Sequence, residues 1–134
     1  MTAKRRILVV DDEPDVAAYI AAALEDQGYE TAVAAGAAEG LALVRASHPD
    51  LLCLDLVMPG LSGLSFYHEM RSTPELAGIP VVVVSGLSSK DAGAKLFLGD
   101  KLPAPEAFIE KPIDIGELLK AVRAVLRTRG GEHE

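Results

Sequence analysis

Three stretches of this chain are apolar with almost no alternation, and they limit its fold more than any other feature: residues 7–10 (Ile-Leu-Val-Val), 51–58 and 79–84. A strand with one face in water alternates polar and apolar side chains, so an unalternated run reads as a strand covered on both faces. Such strands belong to parallel sheets sandwiched between helices. Each run also ends at polar residues. The first stops at Asp11-Asp12-Glu13-Pro14, the second is interrupted by one carboxylate, Asp55, just before Pro59-Gly60, and the third stops at Ser85-Gly86.

The segments between these runs carry helical periodicity. Pro14 suits a first helical turn, and Val16, Ile20, Ala23 and Leu24 form a stripe that Gly28 terminates. A weaker strand over 29–34 is followed by an alanine-rich helix over 37–46, closed by His48-Pro49-Asp50. A third helix spans 61–71 with Leu64, Tyr67 and Met70 inward, and Thr73-Pro74 ends it. A fourth is capped by Ser88 with Asp91, although Gly93 and Gly99 weaken it. After a loop over 99–105, residues 107–109 make a short strand, and Asp114 with Glu117 caps a last helix. That helix has Ile115, Leu118, Leu119, Val122 and Leu126 on one face and ends at Arg127. Five strands alternating with helices predict a single doubly wound (βα)5 α/β sandwich of three layers, flavodoxin-like, with a parallel sheet in the order 2-1-3-4-5.

A chain of 134 residues can bury roughly two-thirds of its unfolded surface without disulfides or a structural metal. Its formal net charge of −7 disfavours binding to nucleic acid or an anionic membrane. The lone Cys53 reads as inert core, and His48 and His68 as surface or packing residues. No apolar stretch near the N-terminus is long enough for a signal peptide or a membrane span, so the expected compartment is the cytoplasm.

In the predicted strand order, Asp11, Asp12, Asp55, Ser85 and Lys111 converge at the carboxyl edge of the sheet. Taken singly, each has a common structural use as a turn residue, a cap or a solvated charge. Together they point to chemistry. Crowded carboxylates repel one another unless a cation holds them, and oxygen-only ligation suits Mg2+. Asp55 beside such an ion is a competent nucleophile toward phosphorus. Lys111, the Ser85 hydroxyl and the Gly86 N–H are placed to stabilise phosphoryl oxygens.

The motifs Ile-Leu-Val-Val-Asp-Asp-Glu-Pro at 7–14, Leu-Asp-Leu-Val-Met-Pro-Gly at 54–60, Val-Ser-Gly at 84–86 and Glu-Lys-Pro at 110–112 resemble those of response regulator receiver domains in two-component systems. The resemblance covers residues 4–127 and leaves 128–134 as a flexible tail. It implies that Asp55 accepts a phosphoryl group from the phosphohistidine of a sensor histidine kinase or phosphotransfer protein. It also implies that Asp12, Asp55 and the Val57 carbonyl bind Mg2+, with Asp11 assisting. Lys111 would contact the phosphoryl group and precede a cis Pro112. Ser85 and Phe108 take the places of the switch residues, with helix 4, strand 5 and helix 5 as the face presented to a downstream effector protein. Phosphorylation-dependent homodimerisation is left open.

Phe108 stands where the family often carries tyrosine, and the interval from Ser85 to Lys111 is longer than usual, the surplus falling in 99–105. Val57 and Leu87, at positions that tune dephosphorylation in the family, are both apolar, which implies slow hydrolysis of phosphoryl-Asp55. The expectation is a stand-alone signalling switch that catalyses only its own phosphorylation and dephosphorylation. The alternatives are a Mg2+-dependent aspartyl phosphatase, disfavoured by Val57 where a second acid is common, and a flavin-type cofactor binder, disfavoured because Asp11-Asp12-Glu13 would repel a phosphate. A receiver-like scaffold that no longer switches is disfavoured by the complete set of site residues.

Overall fold

The computed structural model describes residues 4–56, 58, 63–86 and 104–129. Its strands are β1 (Arg6–Val10), β2 (Glu30–Ala34), β3 (Leu51–Leu54), β4 (Val81–Ser85) and β5 (Ala107–Glu110). Its helices are α1 (Pro14–Asp26), α2 (Ala37–Ser47), α3 (Gly63–Ser72) and α4 (Ile115–Arg129). The sheet runs β2-β1-β3-β4-β5 with every pairing parallel, the predicted order.

The unalternated strands bury both faces, and the pleat divides them between two cores. Leu8, Val10, Leu52, Leu54, Val81 and Val83 pack with Phe66, Tyr67 and Met70 of α3 and Val44 of α2. The intervening residues Ile7, Val9, Leu51, Cys53, Val82 and Val84 pack with Ile20 and Leu24 of α1 and Leu118, Val122 and Leu126 of α4. The central strands β1, β3 and β4 are therefore nearly dry, while β2 and β5 form the edges, with Val33 of β2 exposed.

Gly28 terminates α1 with φ +95°, as expected of a glycine stop. Its N–H donates to the Glu25 carbonyl and that of Tyr29 to the Leu24 carbonyl, a Schellman closure. The buried stripe of α1 is Ala17, Ile20, Ala21 and Leu24, with Val16 and Ala23 at its margins. In α2, Gly40 is a close-approach position: a Cβ there would lie 2.5 Å from a Phe66 ring carbon and 3.0 Å from Val10 Cγ2. The Asp114 carboxylate caps α4 through the Glu117 N–H at 3.1 Å. That helix runs past the expected end at Arg127 to Arg129, since Thr128 turns its hydroxyl back to the Ala124 carbonyl and no breaker precedes Gly130. The predicted helix after Ser88 and the loop over 99–105 lie outside the described residues.

Cys53 is 1% exposed in the α1/α4-side core, and burial pushes its thiol pKa up to about 12. Only the thiolate alkylates readily. Native protein mixed with a maleimide near neutral pH is expected to remain unmodified by intact mass, whereas protein unfolded in denaturant reacts; equal labelling of both would disprove this.

Candidate functional site

Main-chain bonds fix the site before any side chain takes part. The Asp11 N–H donates to the Ala34 carbonyl at 3.1 Å and the Asp55 N–H to the Val10 carbonyl at 3.0 Å. The ladders thus extend one residue past β1 and β3, whose ends are in register at Val10 and Leu54, and the two acids emerge side by side. On the other flank the Lys111 N–H donates to the Ser85 carbonyl at 2.8 Å, tying the residue after β5 to the end of β4. The start of α3 closes in behind Asp55, where a Cβ on Gly63 would sit 1.9 Å from the Asp55 carbonyl oxygen.

One carboxylate oxygen from each of Asp11, Asp12 and Asp55 lies within 4.8 Å of the others. Asp11 and Asp55 are 2% and 4% exposed, so their charge needs compensation that water does not supply. Part of it comes from Lys111, whose Nζ stands 3.3 Å from Asp55 Oδ2, 3.3 Å from Asp11 Oδ2 and 2.7 Å from Glu13 Oε1. Burial alone would lower the Lys111 pKa. The hydrogen bond to Glu13 and the charges of Asp55 and Asp11 outweigh it, so the pKa is raised and the group stays a cation.

Four acids, Asp11, Asp12, Asp55 and Glu13, against one ammonium leave negative charge in excess. Asp11 Oδ1 accepts the Glu13 N–H at 2.9 Å, but among the described residues the buried Asp11 Oδ2 receives no well-aligned hydrogen bond. A buried carboxylate oxygen whose nearest described donor is an ammonium 3.3 Å away and poorly aligned, beside two further carboxylates, fits a hard divalent cation with oxygen ligands.

Of the residues expected at the site, the structure brings together Asp11, Asp12, Asp55 and Lys111. It places Ser85 fully buried at the end of β4, with Gly86 exposed just after it. Phe108 lies in β5 opposite Val83 and packs partly buried against the α2/α3-side core. The Lys111–Pro112 peptide bond is cis, as the resemblance implies. Val57 and Leu87 lie outside the described residues. Sequence reasoning missed two members. Glu13 entered only as part of the acidic run after the first strand, yet it is the acid nearest Lys111. Gly63 read as an ordinary helix residue, though only a residue without a Cβ fits against the Asp55 carbonyl.

A hollow of about 510 Å3 lies away from this edge, lined by Arg5, His48, Asp50, Glu75 and Pro80 among others. It mixes both signs of charge, and those charged side chains are exposed or half-buried, so nothing there matches the convergent acids of the site.

Comparison with known proteins agrees with this geometry. Residues 7–123 match the model of the response regulator receiver domain. Protein PilH of Pseudomonas aeruginosa is 36% identical over 121 residues, covering 90% of this chain and 97% of PilH. The DNA-binding response regulator MtrA of Mycolicibacterium smegmatis is 35% identical over 131 residues, covering 98% of this chain but only 54% of MtrA. The chain thus spans nearly all of one relative and about half of the other. Among solved structures, a CheY-like receiver domain protein from Methanospirillum hungatei superposes with a TM-score of 0.83 at 27% identity, covering 98% of this chain and all of that one. The receiver domain of NtrX from Brucella abortus does so with a TM-score of 0.79 at 32% identity, covering 91% and 98%. Fold, sequence and the acids at the sheet edge agree, and the chain belongs to the response regulator receiver domains of two-component signalling.

Proposed function

We propose that Asp55 is the phosphoacceptor of this receiver and that it takes its phosphoryl group from the phosphohistidine of a sensor histidine kinase or phosphotransfer protein. The observation that carries the reading is the placement of Asp55 at the end of a buried strand, with Lys111 Nζ 3.3 Å away and Asp11 and Asp12 within 4.8 Å. A carboxylate oxygen of Asp55 bonds to phosphorus as the bond from phosphorus to the donor imidazole nitrogen breaks, the nitrogen keeping the electron pair. Lys111 then faces the phosphoryl oxygens, and Ser85 and the Gly86 N–H are the further donors. Asp11, Asp12, Asp55 and the Val57 carbonyl are the proposed holders of Mg2+. Bound there, the ion would offset the charge of the acids and of the transferring phosphoryl group.

A groove of about 250 Å3 lined by Glu13, Val16, Tyr19, Lys111, Pro112 and Ile113 borders the site, with Tyr19 52% exposed there. No described helix is long and apolar enough to cross a membrane.

The test is incubation with Mg2+ and a small phosphodonor, followed by intact mass of the parent and of Asp55→Asn. One added phosphoryl mass in the parent and none in the variant is the expected result. Addition to both, or to neither, would falsify the assignment.

Phe108 and Ser85 are the proposed switch pair, with the face formed by the helix expected after Ser88, β5 and α4 as the surface presented to an effector. Phe108 packs against the core on the same sheet that carries Ser85, so its ring can follow a movement at the site. Phe108→Ala is expected to accept phosphate like the parent but to lose the phosphorylation-dependent change in effector affinity. A variant whose affinity still changes on phosphorylation would rule this out.

A further inference from the structure

We infer that Glu13 is a positioning residue that draws the Lys111 ammonium outward, off the buried acids, and so keeps Asp11 and Asp55 available to a divalent cation. The inference rests on the metal-assisted reading above. Glu13 stands at the start of α1, where its side chain caps no helix N–H; it reaches instead across to Lys111, 98 residues away in sequence.

Three distances define the arrangement. Lys111 Nζ is 2.7 Å from Glu13 Oε1 but 3.3 Å from both Asp11 Oδ2 and Asp55 Oδ2. An ammonium has three N–H donors, and here hydrogen bonds run to Glu13 and Asp55. The third acid, Asp11, is close enough for charge attraction at 3.3 Å, yet its buried Oδ2 receives no well-aligned hydrogen bond among the described residues. A lysine free to choose among three carboxylates would be expected to settle on the two least hydrated ones, where the attraction is least screened. It leans instead toward Glu13, the most exposed of them at 57%, against 2% for Asp11 and 4% for Asp55. Without Glu13, the ammonium keeps Asp11 and Asp55 as its nearest carboxylates among the described residues. It would then compete with the metal for the oxygens the metal needs.

A general effect of negative charge near the cation predicts a similar loss when Glu13 is neutralised, so the test separates the two. Mg2+ affinity is measured by titration calorimetry on the full chain for the parent, Glu13→Gln, Lys111→Met and the double variant, with thermal unfolding of each recorded alongside. If Glu13 acts through Lys111, Glu13→Gln weakens Mg2+ binding by about two- to fivefold, the order of one half-exposed ion pair, with the melting temperature little changed. Lys111→Met then tightens binding, and Glu13→Gln has no further effect in that background. Equal weakening in both backgrounds means that Glu13 acts by its own charge, and no weakening in either means that it does not act; each overturns the inference. A parent that binds no Mg2+ overturns the metal-assisted reading as well.

Discussion

Gly63→Ala is expected to destabilise the domain by about 3 kcal/mol, the upper part of the range for overpacking, and to leave Asp55 poorly phosphorylated. The added Cβ would lie 1.9 Å from the Asp55 carbonyl oxygen, 2.6 Å from Leu56 Cα and 2.8 Å from the Asp55 carbonyl carbon. All three are backbone atoms, so no side chain can rotate away. Either α3 lifts at its first turn or the chain carrying Asp55 moves. Gly116→Ala is the contrasting change. A Cβ there meets nothing nearer than Asp114 Oδ1 at 3.4 Å, and replacing a helical glycine by alanine favours the helix, so stability should hold or rise. Urea unfolding of the two variants, with the phosphodonor assay, decides the matter. A Gly63→Ala protein as stable as the parent would show that the close approach is not a constraint.

Arg71→Met is expected to cost about 3 kcal/mol through an unrelated cause, the breaking of a buried charged network. The Arg71 side chain is 2% exposed and its guanidinium uses most of its fork. It donates to Tyr67 Oη at 3.1 Å, to the Ala77 and Ile79 carbonyls at 2.8 and 2.9 Å, and to Glu106 Oε1 at 2.9 Å. Glu106 Oε1 also accepts the Val81 N–H at 2.7 Å, so one carboxylate oxygen joins α3, the start of β4 and the approach to β5. The guanidinium carbon stands 4.9 Å from the Tyr67 ring centroid, a stacking a lysine would not reproduce. Methionine fills the volume but leaves two carbonyls and Glu106 without this donor. Arg71→Lys keeps the charge without the planar fork and should recover only a minor part of the loss in the same unfolding measurement. Unchanged midpoints for Arg71→Met would mean that the network is energetically neutral.

What the sequence made legible follows from where the signals are local. Asp11 and Ser85 each mark the end of an apolar run, Asp55 interrupts one and Lys111 follows a short one, so parallel topology was enough to bring them to one edge. Arg71 could not be read in this way. An arginine in the last turn of a helix is ordinarily a solvated charge, and its carboxylate partner lies 35 residues on, after a loop that carries no pattern. Glu13 failed for a related reason, because acids at a helix start already have a sufficient local explanation. Gly63 was invisible since the atom that forbids a side chain belongs to a different element. The end of α4 was placed early, at Arg127, because the apolar stripe runs out at Leu126, whereas the helix continues to Arg129.

The two ladder bonds that reach beyond the strands, from Asp11 to Ala34 and from Asp55 to Val10, bear on how much this sequence can drift. They are made by peptide groups, which every substitution except proline retains. The spacing of the acids is therefore inherited from sheet register and is largely indifferent to which apolar side chains fill the layers beneath. Volume-conserving exchanges at Leu8, Leu52 or Val82 can accumulate without moving the carboxylates. A single-residue slip of β3 against β1 would separate them at once. Relatives at about a third identity can thus keep the same edge while sharing few core residues, and a proline at position 11 or 55 would harm the site by removing a main-chain donor as well as an acid.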